Sequence, residues 1–135
     1  MGLDNAICVK RNEYTSNIPE LKQFEKDWEV KYGYDFEIAY YRKCYNVKYM
    51  VFRCVEKTRD NDRSDPLDIN DIDNIIKGLQ SFNSENWQDD WGSIWDWDDE
   101  EWPYSAKVQR DIESLKILKE LMQKYELEVY FYDSY

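Results

Sequence analysis

The chain has 135 residues, of which 42% are apolar, 17% aromatic and 35% charged, and its formal net charge is −11. This length suits a single domain, residues 1–135, with a core of its own. The excess of carboxylates disfavours direct binding to nucleic-acid phosphates or to anionic membranes, but it permits binding to a basic protein. Because the chain has no histidine, imidazole-based catalysis and zinc sites with His ligands are excluded within the isolated chain.

The cysteines and the beginning of the chain predict a cytoplasmic protein. Cys8, Cys44 and Cys54 are scattered, odd in number and without a CxxC pair, which is typical of reduced thiols. The opening residues lack the basic and apolar regions of a secretory signal. No apolar run approaches the roughly twenty residues that span a bilayer. We therefore expect no membrane segment, and we assign no metal or cofactor.

Apolar periodicity predicts a strand and then a helix at the beginning of the chain. Residues 3–11 alternate as a strand does. Asn17 is placed to cap the following helix, and Gly33 is placed to end it. The apolar face of this helix consists of Leu21, Phe24, Trp28 and Tyr32.

Residues 34–41 alternate as a second strand, with Phe36, Ile38 and Tyr40 on one side and Tyr41 on the other. The next stretch, residues 44–56, is ambiguous. Its apolar spacing favours a helix, whereas its Val, Tyr and Phe content suits a hairpin strand. We expect a helix there, with the strand as the alternative.

The second half of the chain contains the clearest helix. Residues 58–66 have the composition of a loop, and residues 67–69 form a short predicted strand. Asn70 is placed to cap a third helix. Residues 104–125 carry a continuous apolar stripe, and residues 127–132 form the last strand. These elements predict an α+β fold, in which a small, mainly antiparallel sheet of the terminal strands and residues 34–41 packs with about four helices.

Three segments resemble a family of small uncharacterised phage and bacterial proteins. Residues 1–4 read Met-Gly-Leu-Asp, residues 40–43 read Tyr-Tyr-Arg-Lys, and residues 131–135 read Phe-Tyr-Asp-Ser-Tyr. Members of that family open Met-Gly-Leu-Asp-Met-Tyr-Leu, carry a Tyr-Trp-Arg-Lys-Ala-Asn type of segment and end Tyr-x-Ser-Ser-Trp. The order and spacing of the helices also fit. The resemblance implies a phage or mobile-element origin and a helix at residues 44–56, and it implies no known activity.

The chain departs from the family pattern at four positions. Asn5, Tyr41, Lys48 and Tyr135 stand where the family commonly has Met, Trp, His and Trp. If the members share a polar pocket, the resemblance implies that these substitutions alter it here.

The densest feature is residues 83–102, which we call the acidic segment. It holds eight carboxylates and five tryptophans without a basic residue. One interpretation is a surface that imitates a row of phosphates, with tryptophans anchoring a protein partner. The other is a long loop whose tryptophans cover the domain's own core. The residues that we expect to contact a partner are Asp89, Asp90, Trp91, Trp95, Asp96, Trp97, Asp98 and Asp99.

The acidic segment does not match a calcium-binding EF-hand. If Asp96 held the first position of such a loop, Glu101 would occupy the place of the required Gly and Lys107 that of the required Glu. A looser divalent-cation site formed by Asp96, Asp98 and Asp99 is the alternative.

A second candidate site is centred on Arg42 and Lys43, at the end of a predicted strand. Together with Tyr40, Tyr41 and Lys48, these cations would suit an anionic nucleotide, bound by stacking and charge. The alternative is that they are surface cations that balance nearby carboxylates.

From these observations we expect a non-enzymatic phage protein that inhibits a basic host or defence protein, in the manner of an anti-CRISPR or DNA-mimic protein. The first alternative is a pocket protein that sequesters a nucleotide signal. The second is an enzyme whose chemistry depends on carboxylates.

Overall fold

A computed structural model describes residues 4–27, 35–42, 45–81 and 104–134. The elements in chain order are β1 (Asp4–Val9), a short 3-10 turn (Thr15–Asn17), α1 (Pro19–Asp27), β2 (Phe36–Arg42), α2 (Tyr45–Cys54), α3 (Ile69–Gln80), α4 (Tyr104–Lys124) and β3 (Val129–Ser134). Three antiparallel strands and four helices confirm the predicted α+β fold. Lys43 and the expected contact residues of the acidic segment, from Asp89 to Asp99, lie outside the described residues.

The two terminal strands lie side by side in the sheet. The strand order is β2-β1-β3, so β1 is central and pairs antiparallel with both neighbours. The loop that precedes α3 runs along the free edge of β3, where Ser64 N donates to Phe131 O at 2.8 Å and Leu67 N donates to Val129 O at 2.7 Å. This loop therefore satisfies backbone groups that an open sheet edge would expose.

A bulge in β2 decides which tyrosine enters the core. The register between β1 and β2 shifts by one residue, leaving Ile38 as the extra residue of β2. Beyond Ile38 the alternation reverses, so that Ala39 and Tyr41 are buried in the main core, whereas Tyr40 packs on the opposite face of the sheet. The predicted alternation, with Tyr40 on the side of Phe36, is therefore wrong beyond the bulge.

The helices pack on one face of the sheet. The helix predicted over residues 44–56 is confirmed by α2. Most apolar residues of α3, and most of the apolar stripe predicted for α4, are buried. At the contact of α2 with α3, a Cβ added to Gly78 would lie only 2.2 Å from Met50 Sδ, so a larger residue there would force the Met50 side chain to move. None of the helices in the described ranges is long and apolar enough to cross a membrane.

Two predicted helix caps are wrong. Helix α3 is capped by Asp68, which accepts from Asp71 N at 2.8 Å while Asp71 accepts from Asp68 N at 2.9 Å. This reciprocal capping box starts the helix at Ile69, replaces the short strand predicted over residues 67–69 and places Asn70 in the first turn. Asn17 also caps no helix, because its side chain donates to Glu13 O at 2.9 Å in the preceding turn.

Candidate functional site

The core side of the sheet contains three buried polar side chains, Asn5, Lys48 and Asp133, which we call the buried polar cluster. Their exposed fractions are 0%, 2% and 1%. Asn5 of β1 is the cross-strand partner of Asp133 of β3, and α2 contributes Lys48. A charged pair at this depth is stable only when each charge is matched by an opposite charge or by hydrogen bonds.

The carboxylate of Asp133 receives hydrogen-bond donors from three directions. Asn5 Nδ2 donates to Oδ1 at 2.6 Å, Asn61 N donates to Oδ2 at 2.9 Å, and Lys48 Nζ lies 3.3 Å from Oδ2. Asn61 has a left-handed backbone with φ of 57°, which asparagine tolerates better than most residues. The turn at Asn61 thus directs a backbone N–H at the buried carboxylate.

Lys48 is held between two carboxylates. In addition to its contact with Asp133, its ammonium donates to Asp60 Oδ1 at 2.8 Å. This hydrogen bond lowers the pKa of Asp60 below its ordinary value. Because the ammonium is buried and doubly paired, it stabilises the loop over the cluster and does not face solvent.

A shallow cavity of about 420 Å³ lies beside Asp133, lined by residues 61–63 and 132–134. Its charged lining residues are Asp62, Arg63 and Asp133, so carboxylates outnumber the cation in the lining, and Asp133 is also paired with Lys48. Asn5 Oδ1 is buried near this cavity and accepts no hydrogen bond from any residue in the described part of the chain. The arrangement is better suited to a neutral or cationic group than to a phosphate.

The structure brings together only part of the predicted nucleotide site. Tyr41 is the cross-strand neighbour of Asn5 and lies on the same side of the sheet as Lys48. Tyr40 lies on the opposite face, so the two rings do not form one stacking surface. Arg42 ends β2, but its side chain is not among those described, and Lys43 falls in the gap between 42 and 45.

Sequence reasoning noted parts of this cluster without assembling it. Asn5, Tyr41 and Lys48, which the sequence analysis names, are all buried on the core side of the sheet. Asp133 and Asp60 were missed. The signal for Asp133 is its position two residues after Phe131. Residues two apart on a strand point to the same side of the sheet, so a strand that buries Phe131 also directs Asp133 inward.

The outer face of the sheet carries a second polar arrangement. The hydroxyl of Tyr130 donates to Asp35 Oδ2, and the guanidinium of Arg63 lies 4.3 Å from the centre of the Tyr130 ring. Burial, with a contribution from the Glu37 carboxylate, raises the pKa of the neighbouring Cys8 thiol to about 12. Burial also raises the pKa of Tyr130. Both groups are therefore protonated at neutral pH, and Cys8 is a poor nucleophile.

The described residues contain no group of three or more Cys, Asp or Glu side chains arranged to hold a metal ion. The looser cation site considered at Asp96, Asp98 and Asp99 falls outside the described ranges. Comparison with protein-family models, with curated proteins and with solved structures returns no match for this chain.

Proposed function

We propose that this is a non-enzymatic, phage-encoded binding protein that inhibits a basic nucleic-acid-binding or defence protein through the acidic segment. The observation that carries the proposal is the separation of charge along the chain. The acidic segment contributes eight carboxylates and no cation, against a net charge of −11 for the whole chain. The phage origin rests on the family resemblance of the terminal segments.

The charges of the described domain are largely balanced by one another. Eight of its cationic side chains form ion pairs with carboxylates of the same domain: Lys10, Arg11, Lys48, Lys57, Arg59, Arg63, Lys119 and Lys124. A domain whose cations are paired in this way offers few of them to phosphates. A partner that responds to the protein's charge therefore responds mainly to the acidic segment.

The chain positions of Ser81 and Tyr104 support this use of the acidic segment. Helix α3 ends just before Ser81, and α4 begins at Tyr104; the two helices pack against each other in the core. The acidic segment therefore connects, in sequence, two helices that are packed against each other. Carboxylates attract a basic partner over the screening length of roughly 8–10 Å at ordinary salt. Tryptophans, which are enriched at binding hot spots, supply the short-range contacts.

The test neutralises the charge without changing side-chain size. One variant replaces Asp89, Asp90, Asp96, Asp98 and Asp99 with Asn. The matched control replaces five exposed acids of the described domain with their amides: Glu13, Glu56, Asp62, Glu113 and Glu120. Each protein is immobilised and exposed to bacterial lysate at two salt concentrations, and the retained proteins are identified by mass spectrometry.

We expect the wild type and the control variant to retain the same basic nucleic-acid-binding or defence proteins, with less retention at high salt. The segment variant should lose them while keeping its circular dichroism spectrum. If the segment variant retains the same proteins as the wild type, the proposal is wrong. Equal loss by both variants would also reject it, because net charge alone would then explain the binding.

A further inference from the structure

A groove of about 820 Å³ lies where the end of α4 meets the beginning of α3. Residues 66–70 form one wall, Met122 and residues 125–128 form the other, and Asn12 closes one end. We call it the α3–α4 groove. Its volume is in the range of pockets that bind small ligands or short peptide segments.

The groove has an apolar floor. Leu67 is buried beneath it, and Met122, Tyr125 and Leu127 pack against the main core while keeping part of their surface exposed. The exposed ring of Tyr14 contacts Tyr125 edge-on, with ring centres 6.3 Å apart, and extends the apolar surface beyond the groove. Partly exposed aromatic and thioether side chains are typical of surfaces that bind other proteins.

Both walls of the groove are acidic. Asp68, Glu126 and Glu128 line it, and none of the described residues that line it is Lys or Arg. Lys57, which does not line the groove, reaches Asp68 at 3.0 Å in a partly exposed pair. Glu126 is exposed and forms no ion pair with a described residue. Lys10 reaches Glu128 at 3.3 Å, but both of these side chains are about half exposed, and such pairs are weak enough for a ligand cation to compete.

The helix ends strengthen this preference for cations. The C-terminal end of α4, which carries the partial negative charge of the helix dipole, forms part of the second wall. Lys124 in its last turn lies over the Tyr125 ring and pairs with Glu20 at 3.6 Å. At the first turn of α3, the N–H of Asp71 already donates to the carboxylate of Asp68, which makes this helix end less favourable for an anion.

The spacing of the second wall matches an extended peptide. Glu126 and Glu128 are exposed on either side of the partly buried Leu127, so acidic and apolar side chains alternate. From this alternation and the charge of the walls, we infer that the α3–α4 groove binds an extended segment of a partner protein in which Lys or Arg alternates with apolar residues. The inference goes beyond the proposed function, because it uses no residue of the acidic segment.

The probe for this site is a synthetic peptide of alternating Leu and Arg, titrated into ¹⁵N-labelled protein. The control peptides replace Arg with Glu, or Leu with Ser. We expect saturable changes in amide chemical shift at residues 67–70 and 122–128 with the Leu-Arg peptide. Binding of the Leu-Glu peptide at the same amides, or a Leu-Arg response centred elsewhere, overturns the inference. So does the absence of saturable binding.

Two charge-reversal variants separate the groove from general electrostatics. Glu126→Lys should weaken Leu-Arg peptide binding by about tenfold, since it reverses a charge on the wall. Glu120→Lys, at an exposed position of α4 that does not line the groove, should change binding far less. Equal effects of the two variants overturn the inference. If dilution of the free protein shifts the same groove amides, a second copy of the chain occupies the groove, and the inference is wrong.

The Asp-to-Asn variant of the acidic segment should bind the Leu-Arg peptide as the wild type does. The peptide titration therefore tests the groove, and the lysate experiment tests the proposed function, independently of each other.

Discussion

Lys48 is a buried cation whose loss should strongly destabilise the fold. Its removal leaves Asp133 as an uncompensated carboxylate that is 1% exposed. We predict that Lys48→Met lowers the free energy of unfolding by about 3–5 kcal/mol, the usual cost of breaking a buried pair from one side. Urea unfolding followed by circular dichroism measures this.

The double variant Lys48→Met/Asp133→Asn is the matched control, because it removes both charges together. It should recover part of the lost stability. The view that Lys48 acts by compensating Asp133 would be contradicted if the double variant lost as much free energy of unfolding as the two single variants added together, or more.

Cys8 and Tyr130 should make the protein sensitive to alkali. The pKa of Cys8 is about 12 in the folded protein against an ordinary 9.0, so the folded state holds the thiol proton more tightly than the unfolded state does. This contribution to stability is complete below about pH 9 and is lost as the pH rises through about 12. Tyr130, whose pKa is also raised, acts in the same direction.

We therefore predict that the free energy of unfolding falls between about pH 9 and pH 12, and that the fall is shallower in Cys8→Ala. Urea titrations at a series of pH values measure the slope. Tyr132→Phe, at an exposed position of the neighbouring strand β3, is the control and should keep the wild-type slope. Identical slopes in the wild type and in Cys8→Ala would show that burial of this thiol does not contribute to the fall in the free energy of unfolding with pH.

At the scale of elements, the beginning of α3 distinguishes two candidate caps. Asp68 forms both hydrogen bonds of the capping box, whereas Asn70 is exposed in the first turn. We predict that Asp68→Ala lowers the free energy of unfolding by about 0.5–2 kcal/mol, and that Asn70→Ala has a smaller effect. Thermal unfolding of the two variants tests this, and a larger loss in Asn70→Ala would reject the assignment of the cap.

The element types could be predicted from the sequence more fully than their details. Apolar residues at helical spacing are a local signal that can be read without knowledge of distant contacts, and this is why α3 and α4 were predicted correctly. The alternation of β2 did not predict which of its side chains face the core. The bulge at Ile38 depends on pairing with β1, which is distant in sequence. The cap of α3 was misplaced by two residues because Asp68 and Asn70 are both good capping residues, and only the reciprocal bond with Asp71 selects between them.

The candidate site was harder to predict for a related reason. The buried polar cluster joins residues from β1, α2 and β3, and Asn5 is separated from Asp133 by 128 positions. Local patterns carry no information on such a contact. The pairing of Lys48 with two carboxylates depends on a loop that the sequence alone does not position.

For the whole molecule, the pairing of the terminal strands allows the chain to be rearranged. Asp4 is the cross-strand partner of Ser134, so a two-residue Asn-Gly turn can join β3 directly to β1. We predict that a circular permutant joined in this way, with new ends between residues 91 and 92, keeps the wild-type circular dichroism spectrum, because the cut interrupts no described element.

The control permutant has the same junction and is opened between Leu115 and Lys116, inside the buried stripe of α4. It should fail to fold cooperatively in urea. Failure of the first permutant together with success of the second would show that continuity through the acidic segment matters more to the fold than continuity of α4.

The same strand pairing has a mechanical and a biosynthetic consequence. Because residues 4 and 134 face each other at one end of the β1–β3 pair, a pulling force applied through these two positions loads their hydrogen bonds one after another, as in opening a zipper. Such a geometry resists stretching weakly. During synthesis, the central strand β1 can pair with β3 only after all the other described elements have left the ribosome. Until then, neither Asn5 nor Lys48 has its carboxylate partner from β3.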